Sequence, residues 1–164
     1  MFTIEDLISS LREETRIINH LYTKIPMPGG LEYKPNAYQR SMKELLWYMS
    51  SMGVMLSKMF KANGYNADDH DKSTPDLTQF TTIMDEQFVF VEHYLRSLSP
   101  DDLAREIDPF GMSMSFPVKH YVFNVLFKTY VAYRMQLFLY AKDAGSYTMG
   151  TSNLRMGRDM PDTM

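Results

Sequence analysis

Apolar residues recur along this chain at the spacing of one helical turn, in four separate stretches. Ile4, Leu7, Ile8, Leu11, Ile18, Leu21 and Tyr22 form the first stripe, with Arg12, Glu13, Glu14 and Arg16 mostly on the other face. Leu45, Met49, Met52, Leu56, Met59 and Phe60 form the second; Phe80, Met84, Phe88, Val91, Leu95 and Leu98 form the third. The fourth stretch, from Pro117 to Ala144, is apolar around nearly its whole circumference. A period of about 3.6 residues held over such lengths selects helix over strand. Four amphipathic helices can bury their stripes only against one another. The expected fold class is therefore all-α, a four-helix bundle over residues 1–145, with an irregular tail over 146–164.

The punctuation between the stripes agrees. Thr3 with Asp6, and Ser41 with Glu44, have the spacing of helix-capping boxes. Thr74-Pro75-Asp76 reads as cap, first helical position and dipole-complementing carboxylate, and Ser99-Pro100-Asp101-Asp102 starts a short turn by the same logic. Pro26, Pro28, Gly29, Gly30 and Pro35 make 24–35 a loop, and Asn63-Gly64 ends the second helix. Residues 65–73 form a short polar link, and residues 108–117 connect the third and fourth helices. Gly145 stops the last helix.

Composition removes several function classes. The 164 residues are 45% hydrophobic and 13% aromatic, which suits one globular domain. Seventeen basic and twenty acidic residues leave a net charge of −3, without the concentrated basic face that nucleic acid requires. The absence of cysteine excludes disulfides and thiolate chemistry. Asn124, Lys128, Arg134 and Gln136 interrupt the most apolar stretch, so no membrane span is expected. The opening MFTIEDLISS has early acidic residues and no apolar run, so no signal peptide is expected and a cytoplasmic location is. The fifteen methionines read as flexible core filler.

Three short stretches resemble the DinB/YfiT-like superfamily of bacterial four-helix-bundle proteins. Arg40-Ser41-Met42-Lys43-Glu44-Leu45-Leu46-Trp47-Tyr48 is similar to the pattern R-S-x-x-E-L-L-x-H. Thr129-Tyr130-Val131-Ala132-Tyr133-Arg134-Met135-Gln136-Leu137 is similar to H-x-x-x-H-R-G-Q-L. Tyr140-Ala141-Lys142-Asp143-Ala144-Gly145 is similar to Y-L-R-x-x-G. The resemblance implies a divalent metal held by three histidines, one from the second helix and two at i and i+4 on the fourth, as in metal-dependent thiol transferases. Residues four apart share a helix face, and three imidazole nitrogens leave a coordination position open.

Those positions read Tyr48, Thr129 and Tyr133 here. A phenol ionises near pH 10, so phenolate ligation near neutrality costs about 4 kcal/mol, and a lone threonine hydroxyl is a poor ligand. No metal or other cofactor is therefore expected. Two tyrosines are expected to fill the space and hydrogen-bond to each other; the alternative is a small amphipathic pocket bordered by Trp47, Met49, Met52 and Leu137. Arg134 and Gln136 keep the motif, and are read as bundle hydrogen bonds or an ion pair.

The remaining chemistry is sparse. His20, His70, His93 and His120 lie in four different segments without metal-ligand spacing. Asp68-Asp69-His70-Asp71 reads as a solvated acidic loop without calcium-loop spacing. No catalytic triad, phosphate loop or Glu-x-x-His motif is present. The sequence thus points to a DinB-like protein without the usual metal and leaning away from catalysis. A metal-dependent thiol S-transferase or isomerase and a small-ligand or partner-binding bundle are the alternatives. The all-round apolar fourth helix, with the resemblance, further suggests a homodimer.

Overall fold

The structure, a computed structural model, describes residues 3–66 and 75–160. The expected Thr74 cap and the acidic loop around His70 lie outside those residues. The chain is all-α in its main body. Its helices are α1 (Ile4–Tyr22), α2 (Met42–Met49), α3 (Met52–Ala62), α4 (Phe80–Arg96), the short α5 (Pro100–Ala104), α6 (Val118–Tyr121), α7 (Lys128–Asp143) and α8 (Thr151–Met156). A π-helical stretch, Val122–Phe127, joins α6 to α7. Glu106–Ile107 (β1) and Phe116–Pro117 (β2) pair antiparallel at the base of the 108–115 loop. Among the described residues, no helix is long and apolar enough to cross a membrane.

Helix starts follow the sequence where a capping box was legible. Thr3 accepts from the Asp6 backbone N–H at 3.1 Å and Asp6 reaches back to the Thr3 N–H at 2.8 Å. Ser41 with Glu44, and Ser99 with Asp102, repeat the arrangement. At the third helix the start moves inward. Asp76 caps a 3-10 turn, Leu77–Gln79, and the α-helix begins at Phe80. After α3, Asn63 takes the left-handed conformation (φ 54°) where the sequence pointed to glycine.

Cross-helix contacts fix the topology. Asn19 bonds Asp85 at 2.8 Å, Arg12 pairs with Glu92 at 3.2 Å, and Glu5 pairs with Arg96. The order is reversed, so α1 and α4 are antiparallel. Tyr33 meets Asp143 at 3.1 Å while Tyr48 meets Tyr133, so the α2–α3 unit and α7 are also antiparallel. Gln87 meets Met49 and Gly53, whereas Tyr94, further along α4, lines one groove with Ser57, further along α3. Helices α3 and α4 therefore run parallel. The link between them, read from sequence as short, lies mostly outside the described residues.

The second predicted helix is broken at Ser50–Ser51, and the cause is a side chain from another helix. In a continuous helix the Gly53 N–H would donate to the Met49 carbonyl. Instead the Gln87 amide sits between them: its Nε2 donates to Met49 O at 2.9 Å and its Oε1 accepts from Gly53 N at 2.8 Å. Gln87 is 3% exposed, so both backbone groups stay satisfied inside the core. Ser50 and Ser51 donate to the carbonyls of Trp47 and Tyr48, which suits the turn. A Cβ on Gly53 would overlap the Tyr130 hydroxyl and press on Val91 and Gln87, so the break also needs a glycine for close approach.

The tail departs from the expectation of irregular chain. Helix α8 packs on α1. Arg16 donates to the carbonyls of Met156 and Gly157 at 2.5 and 3.1 Å, and buried Asn153 meets His20 Nε2 at 3.0 Å. Gly157 turns the chain in the left-handed conformation (φ 52°) against Ile17. Six residues between two glycines carry too little periodicity to be read as a helix from sequence.

Candidate ligand-binding site

Tyr48 ends α2 just before the break, while Thr129 and Tyr133 lie one turn apart on α7. The structure brings the three together. The Tyr48 and Tyr133 rings pack with centroids 4.8 Å apart and planes tilted by 44°. Tyr48 and Thr129 both line a cleft of about 410 Å³. Its other walls are Met55, Leu56 and Met59 of α3, Val125 of the π-helical stretch, Phe110 of the 108–115 loop, and Tyr65. The walls are largely apolar, with the Tyr48 and Thr129 side chains as polar points.

Both walls depart from regular helix at this place. The Gln87-induced break turns α3 away after Tyr48, and the opposite wall is the π-helical stretch leading into Thr129. A π-turn inserts an extra residue in the helical ladder, a feature that recurs at functional sites. Asp108 fixes the loop that carries Phe110. Its backbone N–H donates to Asn63 Oδ1 at 2.7 Å, and its carboxylate accepts from the N–H groups of Met112 and Ser113 at 3.1 and 2.8 Å.

Arg40 covers the tyrosines from the solvent side. Its guanidinium lies 4.5 Å from the Tyr48 ring centroid, and its Nη1 donates to the Tyr133 hydroxyl at 3.2 Å. Burial holds the Tyr48 phenol above its ordinary pKa, and the Tyr133 phenol adds to that; the Arg40 charge pulls the other way. The two tyrosines meet ring on ring, hydrogen bonding between their side chains adds to the rise of the Tyr48 phenol, and Arg40 bonds the Tyr133 hydroxyl. Trp47 borders a smaller recess of about 220 Å³ with Arg40, Glu44 and Tyr48. Met49, Met52 and Leu137, expected around the pocket, are instead fully buried in the core.

The donor set does not suit a divalent cation. It offers two phenols and one hydroxyl, one phenol is held above its ordinary pKa, and a guanidinium stands over the pair. No cluster of three His, Cys, Asp or Glu that suits a metal ion occurs among the described residues. His20 bonds Asn153, and burial, with Lys24 and Arg16 nearby, lowers its pKa against the opposing pull of Asp159. His120 stacks on Phe116 at 4.4 Å, and His93 is exposed on α4.

Arg134 and Gln136 serve the bundle. Arg134 Nη1 pairs with Glu14 Oε1 of α1 at 3.0 Å, and Gln136 Nε2 donates to the Tyr140 hydroxyl at 2.9 Å. Glu14 is 7% exposed, and burial raises its pKa against the opposing pull of Arg134.

No family model matches the sequence, and no curated protein matches it. Among solved structures, the crystal structure of a DinB-like protein, YjoA of Bacillus subtilis, aligns with a TM-score of 0.66. The alignment covers 85% of this chain and 91% of that one, at 18% sequence identity. The chain has the DinB-like fold. Within it, Tyr48, Thr129 and Tyr133 mark the face where the resemblance implied a metal, beside a cleft whose lining comes from α2, α3, Tyr65, the 108–115 loop and the helix after it. Arg40 was legible in the first motif but not as a cover for the site. Met55, Met59, Tyr65, Phe110 and Val125 carried no such signal, since four separate segments contribute them.

Proposed function

We propose that this chain is a non-catalytic, metal-free member of the DinB-like fold that binds a small neutral organic molecule in the cleft beside Tyr48. The carrying observation is the 410 Å³ cleft, apolar in most of its walls, with Tyr48 and Thr129 among its lining residues. That composition suits a ligand with an apolar body and one hydrogen-bonding group. The phenols, the threonine and the covering Arg40 give a cation no favourable ligand set, so nothing favours a metal-dependent transferase or isomerase. The reading keeps the cytoplasmic location expected from the sequence. It also includes a homodimer, supported by exposed Met135 and Leu139 on α7; a monomer by light scattering at micromolar concentration removes that part.

Two measurements test it. Protein prepared without metal-affinity tags should hold no stoichiometric metal. One tightly bound metal per chain, lost on Tyr48→Phe or Tyr133→Phe, overturns the metal-free reading. The combined variant Tyr48→His, Thr129→His, Tyr133→His should gain zinc binding, because the three positions converge. Indole and n-hexanol, as neutral probes, should bind saturably and raise Tm, and Thr129→Phe should abolish both effects by filling the cleft. Absence of saturable binding of either probe overturns the ligand reading.

A further inference from the structure

The tail is held on α1 by a polar network centred on Asn153 of α8, which is 4% exposed. The Asn153 Oδ1 accepts from the Gly150 backbone N–H at 2.8 Å, which fixes the orientation of the amide. Its Nδ2 donates to Asp159 Oδ1 at 2.8 Å and meets His20 Nε2 at 3.0 Å. An amide nitrogen donates and cannot accept. His20 Nε2 is therefore the acceptor, and the imidazole is neutral with its proton on Nδ1. The docked tail covers an apolar part of α1: Gly157 lies against Ile17, which is 1% exposed.

A second proton on His20 breaks this contact. It sits on Nε2 and faces the Asn153 N–H, donor against donor. Turning the amide over to present Oδ1 would put Nδ2 against the Gly150 N–H and give up the bond to Asp159. Burial and the Lys24 charge hold the His20 pKa below its ordinary value; Asp159 opposes them, and Arg16 adds to the fall. Asp159 itself pairs with Lys24 at 2.5 Å. On the neighbouring elements, Asp85 of α4 is bonded by Asn19, and Lys142 of α7 donates to the Met149 carbonyl. Arg155 and Arg158 of the tail are exposed.

We propose that residues 150–159 form a pH-sensitive latch on α1, closed while His20 is neutral and released when it takes a second proton. Release uncovers Ile17 and frees Arg16 from the Met156 and Gly157 carbonyls. The sign follows from the neutral acceptor. The undocked tail leaves His20 with its ordinary pKa of about 6.5, whereas docking lowers it. Docking is therefore at full strength above that value and weakens as pH falls through it toward the lowered native one. Hydrogen bonds from Lys24 and Asn153 hold the Asp159 pKa below the ordinary carboxylate value, so Asp159 stays ionised through this window.

The test is hydrogen exchange of the full chain at pH 7 and pH 5, read by mass spectrometry and corrected for the intrinsic pH dependence of exchange. Protection of residues 150–158 should fall by about tenfold at pH 5, as loss of one hydrogen bond implies, while α4 and α7 stay protected. His20→Gln offers an acceptor that does not titrate, so its tail should be equally protected at both pH values. Nitrogen NMR of the imidazole at pH 7 should show the Nδ1–H tautomer. That readout needs no variant, so it decides even where the glutamine loosens the tail. Equal protection of the unsubstituted tail at both pH values, a pH-dependent loss that survives in His20→Gln, loss of protection in α4 and α7 together with the tail, or an Nε2–H tautomer each overturns the proposal.

Discussion

The broken second helix has one closed face and one open face. Toward α4, the break is sealed by Gln87, which bonds Met49 and Gly53 inside the core. Toward α7, the same break leaves Tyr48 against Tyr133 under Arg40, with a cleft beside them. A similar division runs through α7. Arg134 is consumed by a buried pair with Glu14, while its neighbour Tyr133 faces α2 and meets an exposed arginine. The same residue types thus do different work according to burial. Gln87 has one geometry that satisfies both the Met49 carbonyl and the Gly53 N–H, and so it specifies the fold. Half-buried groups at the cleft are the ones the proposed ligand would use.

The comparison breaks most directly at Gln87. Gln87→Leu strands a buried carbonyl and a buried N–H, and should cost about 3 kcal/mol in urea unfolding. A loss below about 1 kcal/mol would mean that the helix simply closes its ladder. Arg134→Ala should cost about 2 kcal/mol at pH 7, a figure reduced for the partial exposure of the pair. The loss should shrink on acidification. Burial already raises the Glu14 pKa, and removing Arg134 raises it further. The native state then holds more protons than the unfolded state above the unfolded carboxyl pKa, so stability falls as pH rises through the native one. Unfolding at pH 5 and pH 7 checks the sign; an equal loss at both would place the carboxylate in solvent.

Effects on the open face should be smaller. Arg40→Ala should cost below about 1 kcal/mol. It should also move the Tyr48 titration upward, since Arg40 opposes the upward effect of burial; phenolate absorbance against pH measures it. Tyr48→Phe should alter stability by less than about 0.5 kcal/mol while weakening any probe that bonds the hydroxyl. A large loss in either variant would make the open face as structural as the closed one.

Legibility in the sequence followed the range of the interaction. The capping boxes at Thr3, Ser41 and Ser99 were readable because both partners lie within one turn. The DinB-like motifs around Tyr48 and Tyr133 were readable because helical spacing places Thr129 and Tyr133 on one face. Gln87 was not readable: a lone glutamine on α4 carries no mark of the carbonyl and N–H it separates on another helix. The cleft lining was hidden for the same reason. Helix α8 was hidden because its order comes from docking on α1, and Asn63 took the turn assigned to its glycine neighbour because its side chain also binds Asp108.

The sequence by itself determined the apolar helical stretches, the capped helix starts, and a phenol, a hydroxyl and a phenol at positions where the family resemblance implies three imidazoles. Those are local facts of period and side-chain chemistry. Only the tertiary structure decided that α3 and α4 run parallel, that Gln87 breaks the second helix, and that a cleft stands beside Tyr48. Each depends on which distant backbone groups meet in the core, where an unsatisfied hydrogen bond costs enough to bend a helix.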